Sequence, residues 1–505
     1  MANKKSDSLF RLVHSLTKAE KRYFRIFSSR HIIGDNNSYM VLFDAIEKQK
    51  AFDEDALIKS LKKHAFSNRI SITKNRLYNA ILRSLDSFYT ASDPEFQARR
   101  LVESASILYR KGLYDQSKKV LVSAEKLARR QKLNNILLDI CAWEQKLAEK
   151  NNYEDITAAA VKDIYSRGKQ AMSELGSNIE WWNLKSTLFM ELYRGGKMHN
   201  EENLIALRER VESLPPQSEI GGMSPTNRFL YHQVHSAWHF ARGNYEACYP
   251  HLVENLTLVN KNRSFFKSEP GLYISLLANT IYTGARCGQM TDAGARLHEL
   301  RRLTNAESAR SAQQAVNMFA IRVSTELVLL LARNEAVPAA QLAEIEHELK
   351  TFDARLSQVR KAQLYFNLAA LHLVSARAHD ALRYIHKLVN TLESNKAADI
   401  YAMAHLLGLV VHIDLGNYDL LHYNMRSVKR LLLAKNRLGK FEEVLLEFAA
   451  QSMRKRKPSD ESAMYGKFIE DLTHLKASEG AQAFEYFDFI AWAKKKQAGS
   501  MMKAA

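Results

Sequence analysis

Proline and glycine are scarce, at 8 and 19 residues in a chain of 505. Both sit mainly between periodic segments, so helices can run long before meeting a breaker. Alternating valine-rich runs are rare, which gives little support for a sheet. Cysteine is limited to Cys141, Cys248 and Cys287, an odd number with no Cys-x-x-Cys pair. All three fall in helical segments, and buried reduced thiols are expected. No run approaches the ~20 apolar residues of a membrane span. The N-terminal stretch Leu9-Phe10-Arg11-Leu12-Val13-His14 is too short and too interrupted for a signal peptide. A cytoplasmic protein without a membrane span is the expectation.

Catalytic signatures are missing too. There is no Gly-x-x-x-x-Gly-Lys-Ser/Thr phosphate loop, no Gly-x-Gly-x-x-Gly fingerprint and no Gly-x-Ser-x-Gly nucleophile elbow. Paired acids such as Glu442-Glu443 and Asp53-Asp55 belong to polar faces or helix caps. The expectation is a non-enzyme with no catalytic residue and no cofactor. Acidic residues are in deficit, with 73 Lys/Arg against 55 Asp/Glu for a net charge of +18. Residues 1–90 hold 17 Lys/Arg and 9 Asp/Glu, a difference of +8, and the other 415 residues supply +10. A basic surface favours nucleic acid, acidic lipid or acidic protein partners, or is simply a solvated helical surface.

What is present is helical periodicity. Leu230, Val234, Trp238 and Ala241 share one helix face. Gly243 can end that helix at positive φ, and Asn244 can cap the next. Leu252 and Leu256 continue an apolar face on the second helix. Arg228 to Leu258 therefore reads as one helical hairpin around the turn Gly243-Asn244-Tyr245-Glu246-Ala247. Neither helix can bury its stripe alone, so neighbouring hairpins are needed.

Residues 1–95 read as a basic helical head. Ser8 to His14 forms a short helix, and Thr17 with Glu20 gives a capping box. Gly34-Asp35-Asn36-Asn37 is a loop by composition, and Ser38 caps a third helix. Asp53-Glu54-Asp55 opens a fourth. A longer helix runs from about Ser71 to Ala91, with Leu77, Ile81, Leu85 and Phe88 on its buried side. Lys74, Arg76 and Arg83 decorate the rest, loosely like a helix-turn-helix that binds nucleic acid. The alternative role of the head is to cap a stack of hairpins.

The hairpin turn recurs. Anchors at 112, 151, 196, 243, 288, 334, 376 and 416 are separated by 39, 45, 47, 45, 46, 42 and 40 residues. A period of this size with two helices per unit fits an α-solenoid. Gly112-Leu113-Tyr114, Gly243-Asn244-Tyr245 and Gly416-Asn417-Tyr418 carry a Gly-x-Tyr turn. Ser117, Cys248 and Ala293 supply a small residue after it, and Ala105 and Ala369 a small residue in the first helix. These features resemble the tetratricopeptide (TPR) family, over about residues 96–435. The units are longer than the family's 34 residues, several turns lack Gly, and the terminal Pro is mostly missing. The resemblance implies an all-α, right-handed α-solenoid of TPR-like hairpins, with the head before it and a C-terminal helical cap after it. It implies a binding scaffold and transfers no catalytic residue.

In TPR-like stacks the first helices line the concave surface. That selects Tyr109, Arg110, Tyr193, Arg194, Phe240, Tyr282 and Arg286 as groove residues. Aromatic and Arg side chains anchor protein partners, and Arg suits carboxylates. A protein or peptide partner, acidic in character, is expected; the alternatives are ordinary inter-repeat packing, or a transcription regulator whose head contacts nucleic acid and whose array senses a ligand. His235 and His239 have the i, i+4 spacing of a metal pair. No nearby carboxylate completes a site, and His372 and His412 recur at the register of His239. Packing residues, and no metal, are therefore expected. Residues 436–505 close the array: Arg454-Lys455-Arg456-Lys457 is basic, Phe484 to Trp492 is an aromatic cap, and 494–505 should be disordered. The sequence leaves the oligomeric state open.

Overall fold

The computed structural model describes residues 7–30, 38–64, 66, 69–150, 153–154, 156–195, 201–262, 271–305, 312–391, 398–434, 438–454, 458–478 and 482–504. Among them the secondary structure is helical throughout, with 24 α-helices, short 3-10 turns and no strand. The chain divides into two compact units, Met1–Leu184 with Pro215–Leu230, and Lys185–Leu214 with Tyr231–Ala505. Two of the three divisions fall inside helices Ala158–Gly195 and Pro225–Ala241, and the third lies between Leu214 and Pro215.

In the first unit, helices Ser8–Ser15, Lys18–Arg30, Ser38–Lys48, Glu54–Leu61 and Ile70–Ser92 enclose Leu9, Val13, Phe24, Phe43, Leu77 and Ile81. Their starts follow the local chemistry. Thr17 N–H donates to Glu20 Oε2 at 2.7 Å and Glu20 N–H to Thr17 Oγ1 at 3.3 Å, a reciprocal capping box. Asp53 Oδ1 accepts from Ala56 N–H at 2.9 Å and starts the fourth helix. The loop expected at Gly34 to Asn37 lies outside the described residues. Helix Pro94–Arg110 begins with Pro in its first turn and Asp93 as its cap. It packs with Tyr114–Arg130 and Asn134–Lys150 around a separate core that includes Ala98, Ala105, Leu121, Ala124, Ile136 and Ile140.

The anchor turns share one geometry. Gly112, Gly243, Gly288, Asn334, Ala376 and Gly416 all have positive φ, between 51° and 81°. Of the remaining two anchors, 151 and 196 lie outside the described residues. At five of these turns the next residue's N–H reaches back to the carbonyl five residues earlier: Leu113 to Leu108, Asn244 to His239, Gln289 to Gly284, Arg377 to His372 and Asn417 to His412, at 2.8–3.0 Å. This is the helix-ending motif that satisfies otherwise orphaned carbonyls. It also fixes why His239, His372 and His412 share a register. Lys132, at φ 50°, adds a turn that the sequence pattern did not reveal, between Tyr114–Arg130 and Asn134–Lys150.

Small residues let the paired helices approach. Ser117 Oγ donates to the Ala105 carbonyl at 2.8 Å, and Cys248 Sγ to the Ser236 carbonyl at 3.2 Å, each pair 12 residues apart across its turn. Ala293, Ala369 and Ala381 are fully buried at comparable places. Gly284 lies against Tyr249, where a Cβ would stand 3.0 Å from the ring.

In the second unit a continuous core extends from Val316 to Ala493. It draws on helix pairs Gln358–Val374 with Ala378–Thr391 and Ala398–Asp414 with Tyr418–Ala434, and on Lys440–Ser452, Pro458–Ser478 and Phe489–Ala504. One expectation needs correction. Residues 494–504 belong to helix Phe489–Ala504 rather than to a disordered tail. Lys496 pairs with Asp414 at 2.9 Å, and Lys495 donates to the Asn334 carbonyl at 2.9 Å, so the helix has specific partners to its end. Segment Gln313–Arg333 is long and apolar enough to cross a membrane by length and composition alone, but it carries Arg322 and Glu326, and half of its most apolar window is buried in the fold as in a core helix. Of the basic run at Arg454, residues 455–457 lie outside the described residues.

Candidate functional site

Three of the predicted groove residues come together in the second unit. The Phe240 ring lies 5.7 Å from Tyr245 and 5.8 Å from Tyr282, and Tyr245 and Tyr282 are 6.3 Å apart. The Arg286 guanidinium sits over the Tyr282 ring at 5.4 Å. Local sequence explains this group of four. Phe240 ends the first helix of its hairpin, Tyr245 opens the second one turn later, and Tyr282 and Arg286 are i, i+4 on Leu272–Arg286.

The site is contacted by the chain's own C-terminal part. Tyr245 Oη donates to Glu485 Oε1 at 2.8 Å. Arg286 Nη2 donates to the Glu485 main-chain carbonyl. The adjacent Tyr486 packs edge-on to Phe366, ring centroids 5.8 Å apart. Burial, aided by Tyr282 and Glu485, pushes the Tyr245 hydroxyl well above the usual phenol range, so it remains a donor. Burial likewise raises Tyr282. Arg286 Nε is buried and has no hydrogen-bond partner. An arginine with one spare donor beside three aromatic rings suits a carboxylate held against an apolar surface.

The other groove residues behave differently. Tyr109 belongs to the first unit, where its ring packs edge-on against Tyr114 at 5.3 Å and Trp143 at 5.5 Å. Arg110 is exposed beside it. Tyr193 and Arg194 fall in the last turn of helix Ala158–Gly195, and their side chains lie outside the described residues. In the head, Lys74 is committed to Glu54 at 2.6 Å, whereas Arg76 and Arg83 are exposed.

The histidines form a second constellation. His235 and His239 stand on Pro225–Ala241, and His251 faces them from Tyr245–Lys261. One ring nitrogen from each lies within 4.8 Å of the other two. The His251 ring stacks on His235 at 5.0 Å and on His239 at 5.9 Å, both at 14°. His232 Nδ1 is 2.9 Å from His251 Nδ1. Burial lowers His235 to about 4 and His251 to about 3, with neighbouring imidazoles adding to the effect. His372, at the register of His239, is a buried packing residue with one nitrogen paired to Glu346 at 2.8 Å and the other without a partner.

Comparison of the chain with protein-family models, curated proteins and solved structures finds no match. Function must therefore be argued from the site. Sequence reasoning missed Tyr245, Glu485 and His251. Tyr245 was absorbed into the turn motif and Glu485 into the aromatic cap. His251 was legible through the hairpin: three steps outward from the Ser236–Cys248 contact, Gln233 stands opposite His251, with His232 alongside.

Proposed function

We propose that this chain is a non-enzymatic scaffold of the TPR-like kind, its hairpins stacked as a right-handed α-solenoid, and that it binds a protein segment carrying an acidic residue beside an aromatic one. The observation that supports this reading is the clustering of Phe240, Tyr245, Tyr282 and Arg286 around Glu485. Those side chains hold an acid-aromatic sequence, Phe484-Glu485-Tyr486, in cis. A partner segment of the same chemistry displaces it and gains the spare Nε donor of Arg286. The recurrent left-handed turns support the repeat reading, because six residues that anchor the sequence's turn pattern, two of them not glycine, share that conformation. The test is affinity capture with wild type and with Arg286→Glu. Loss of the captured partners with retained helix content supports the proposal; unchanged capture rejects it.

A second reading is a transcription regulator whose head binds nucleic acid. The exposure of Arg76 and Arg83 on helix Ile70–Ser92 favours it, while the Lys74–Glu54 pair removes one of its contacts. It requires salt-dependent binding to DNA or RNA, lost in an R76E/R83E chain. Absence of any complex at low salt rejects it.

A further inference from the structure

We propose that His235, His239 and His251 form a binding site for a divalent late transition-metal ion of the zinc type, with His232 orienting His251. The ligands come from both arms of one hairpin. His235 and His239 are one turn apart on the first helix, and His251 faces them from the second. Their nearest ring nitrogens lie within 4.8 Å of one another. Tetrahedral zinc with Zn–N of about 2.0–2.1 Å places its nitrogens about 3.4 Å apart. Small side-chain rotations close that gap without moving either helix.

Three features distinguish this cluster from packing. His235 Nε2 is buried with no hydrogen-bond partner, a lone pair or proton that the fold leaves unused. The Nδ1–Nδ1 contact of 2.9 Å between His232 and His251 requires one of the two to donate. A His251 that ligates through Nε2 carries its proton on Nδ1 and donates it to His232, the outer-shell support typical of metal-bound imidazole. Finally, an all-nitrogen donor set suits Zn(II), Co(II), Ni(II) or Cu(II) and disfavours Mg(II) and Ca(II). Three protein ligands leave a further position for water. Arg242 adds positive charge near His239 and works against cation binding. At the equivalent register, His372 has Glu346 and Tyr384 as neighbours rather than further imidazoles.

The experiment is a titration of the metal-free, full-length chain with Zn(II) against a chromophoric chelator of micromolar affinity. One tightly held equivalent is expected. His239→Gln and His251→Gln should each weaken it by about 10–100-fold or more, and the exposed His422→Gln should leave it unchanged. Circular dichroism of each variant checks that it folds. Wild type loaded with Co(II) gives a readout that needs no variant: visible ligand-field bands and three shifted, exchangeable imidazole N–H signals. No Zn(II) uptake by wild type, uptake that survives replacement of all three histidines, or fewer than three shifted imidazole signals would overturn the proposal.

Discussion

Tyr245 and Glu485 are 240 residues apart in sequence and joined by a hydrogen bond of 2.8 Å. Arg286 holds the same residue through its main chain. This small contact ties the segment Gln482–Tyr486 to the first hairpin of its unit. Tyr245→Phe removes the donor and keeps the ring, so it should cost about 1 kcal/mol. Amide exchange across residues 482–486 should accelerate because the cis segment is held less firmly. Exchange that stays at the wild-type rate argues against this contact in solution.

A second tie involves Asp414. Its carboxylate is buried, accepts from Trp492 Nε1 at 3.2 Å and pairs with Lys496 at 2.9 Å. Burial raises the Asp414 pKa despite both partners. Lys496→Met leaves a buried acid without its cation. Because Lys496 is partly exposed, the expected loss is about 1–2 kcal/mol, below that of a fully buried pair. Chemical denaturation should show it, and Lys494→Met should show much less.

The anchor turns make a signed prediction. Ala376 is exposed and has φ 58°, a conformation costly for a residue with a Cβ. Ala376→Gly should stabilise the chain by about 0.5–1 kcal/mol, since relief of strain exceeds the entropy of the added glycine. Gly416→Ala, at φ 67° with open space around its Cβ, should destabilise by about 1–2 kcal/mol through strain alone. Shifts of melting temperature in the same direction for both variants would contradict the turn geometry.

Acid should weaken the second unit before its carboxylates titrate. Burial lowers the pKa of His405 and of His412 from 6.5. The unfolded chain therefore binds protons that the folded chain refuses as pH falls below about 6.5. Stability is highest above that pH and declines below it. His405→Gln should flatten the slope between pH 6.5 and 5 in urea unfolding, and an unchanged slope would exclude His405 as a contributor.

Much of the helical layout was legible because it rests on local rules. Thr17 with Glu20, Asp53 and Asp93 start helices through their own side chains, and Gly112, Gly243, Gly288 and Gly416 end them. The Lys132 turn escaped because no glycine marks it. The site was half legible. Helical spacing put Tyr282 and Arg286 on one face, but nothing local links either to Glu485. The helical tail from 494, expected to be disordered, was missed for a similar reason: Lys495 and Lys496 meet Asn334 and Asp414, residues far away in sequence. Contacts between residues distant in sequence are fixed by packing and leave no periodic trace.

The most direct test of the groove reading uses a fluorescent peptide with the sequence of residues 482–488. It is titrated against the full chain carrying Glu485→Ala, which weakens the cis segment. Fluorescence anisotropy should show saturable binding that disappears when Arg286→Glu is added and that an excess of unlabelled peptide competes away. Binding indifferent to Arg286→Glu, or no binding by the Glu485→Ala chain, would contradict the account.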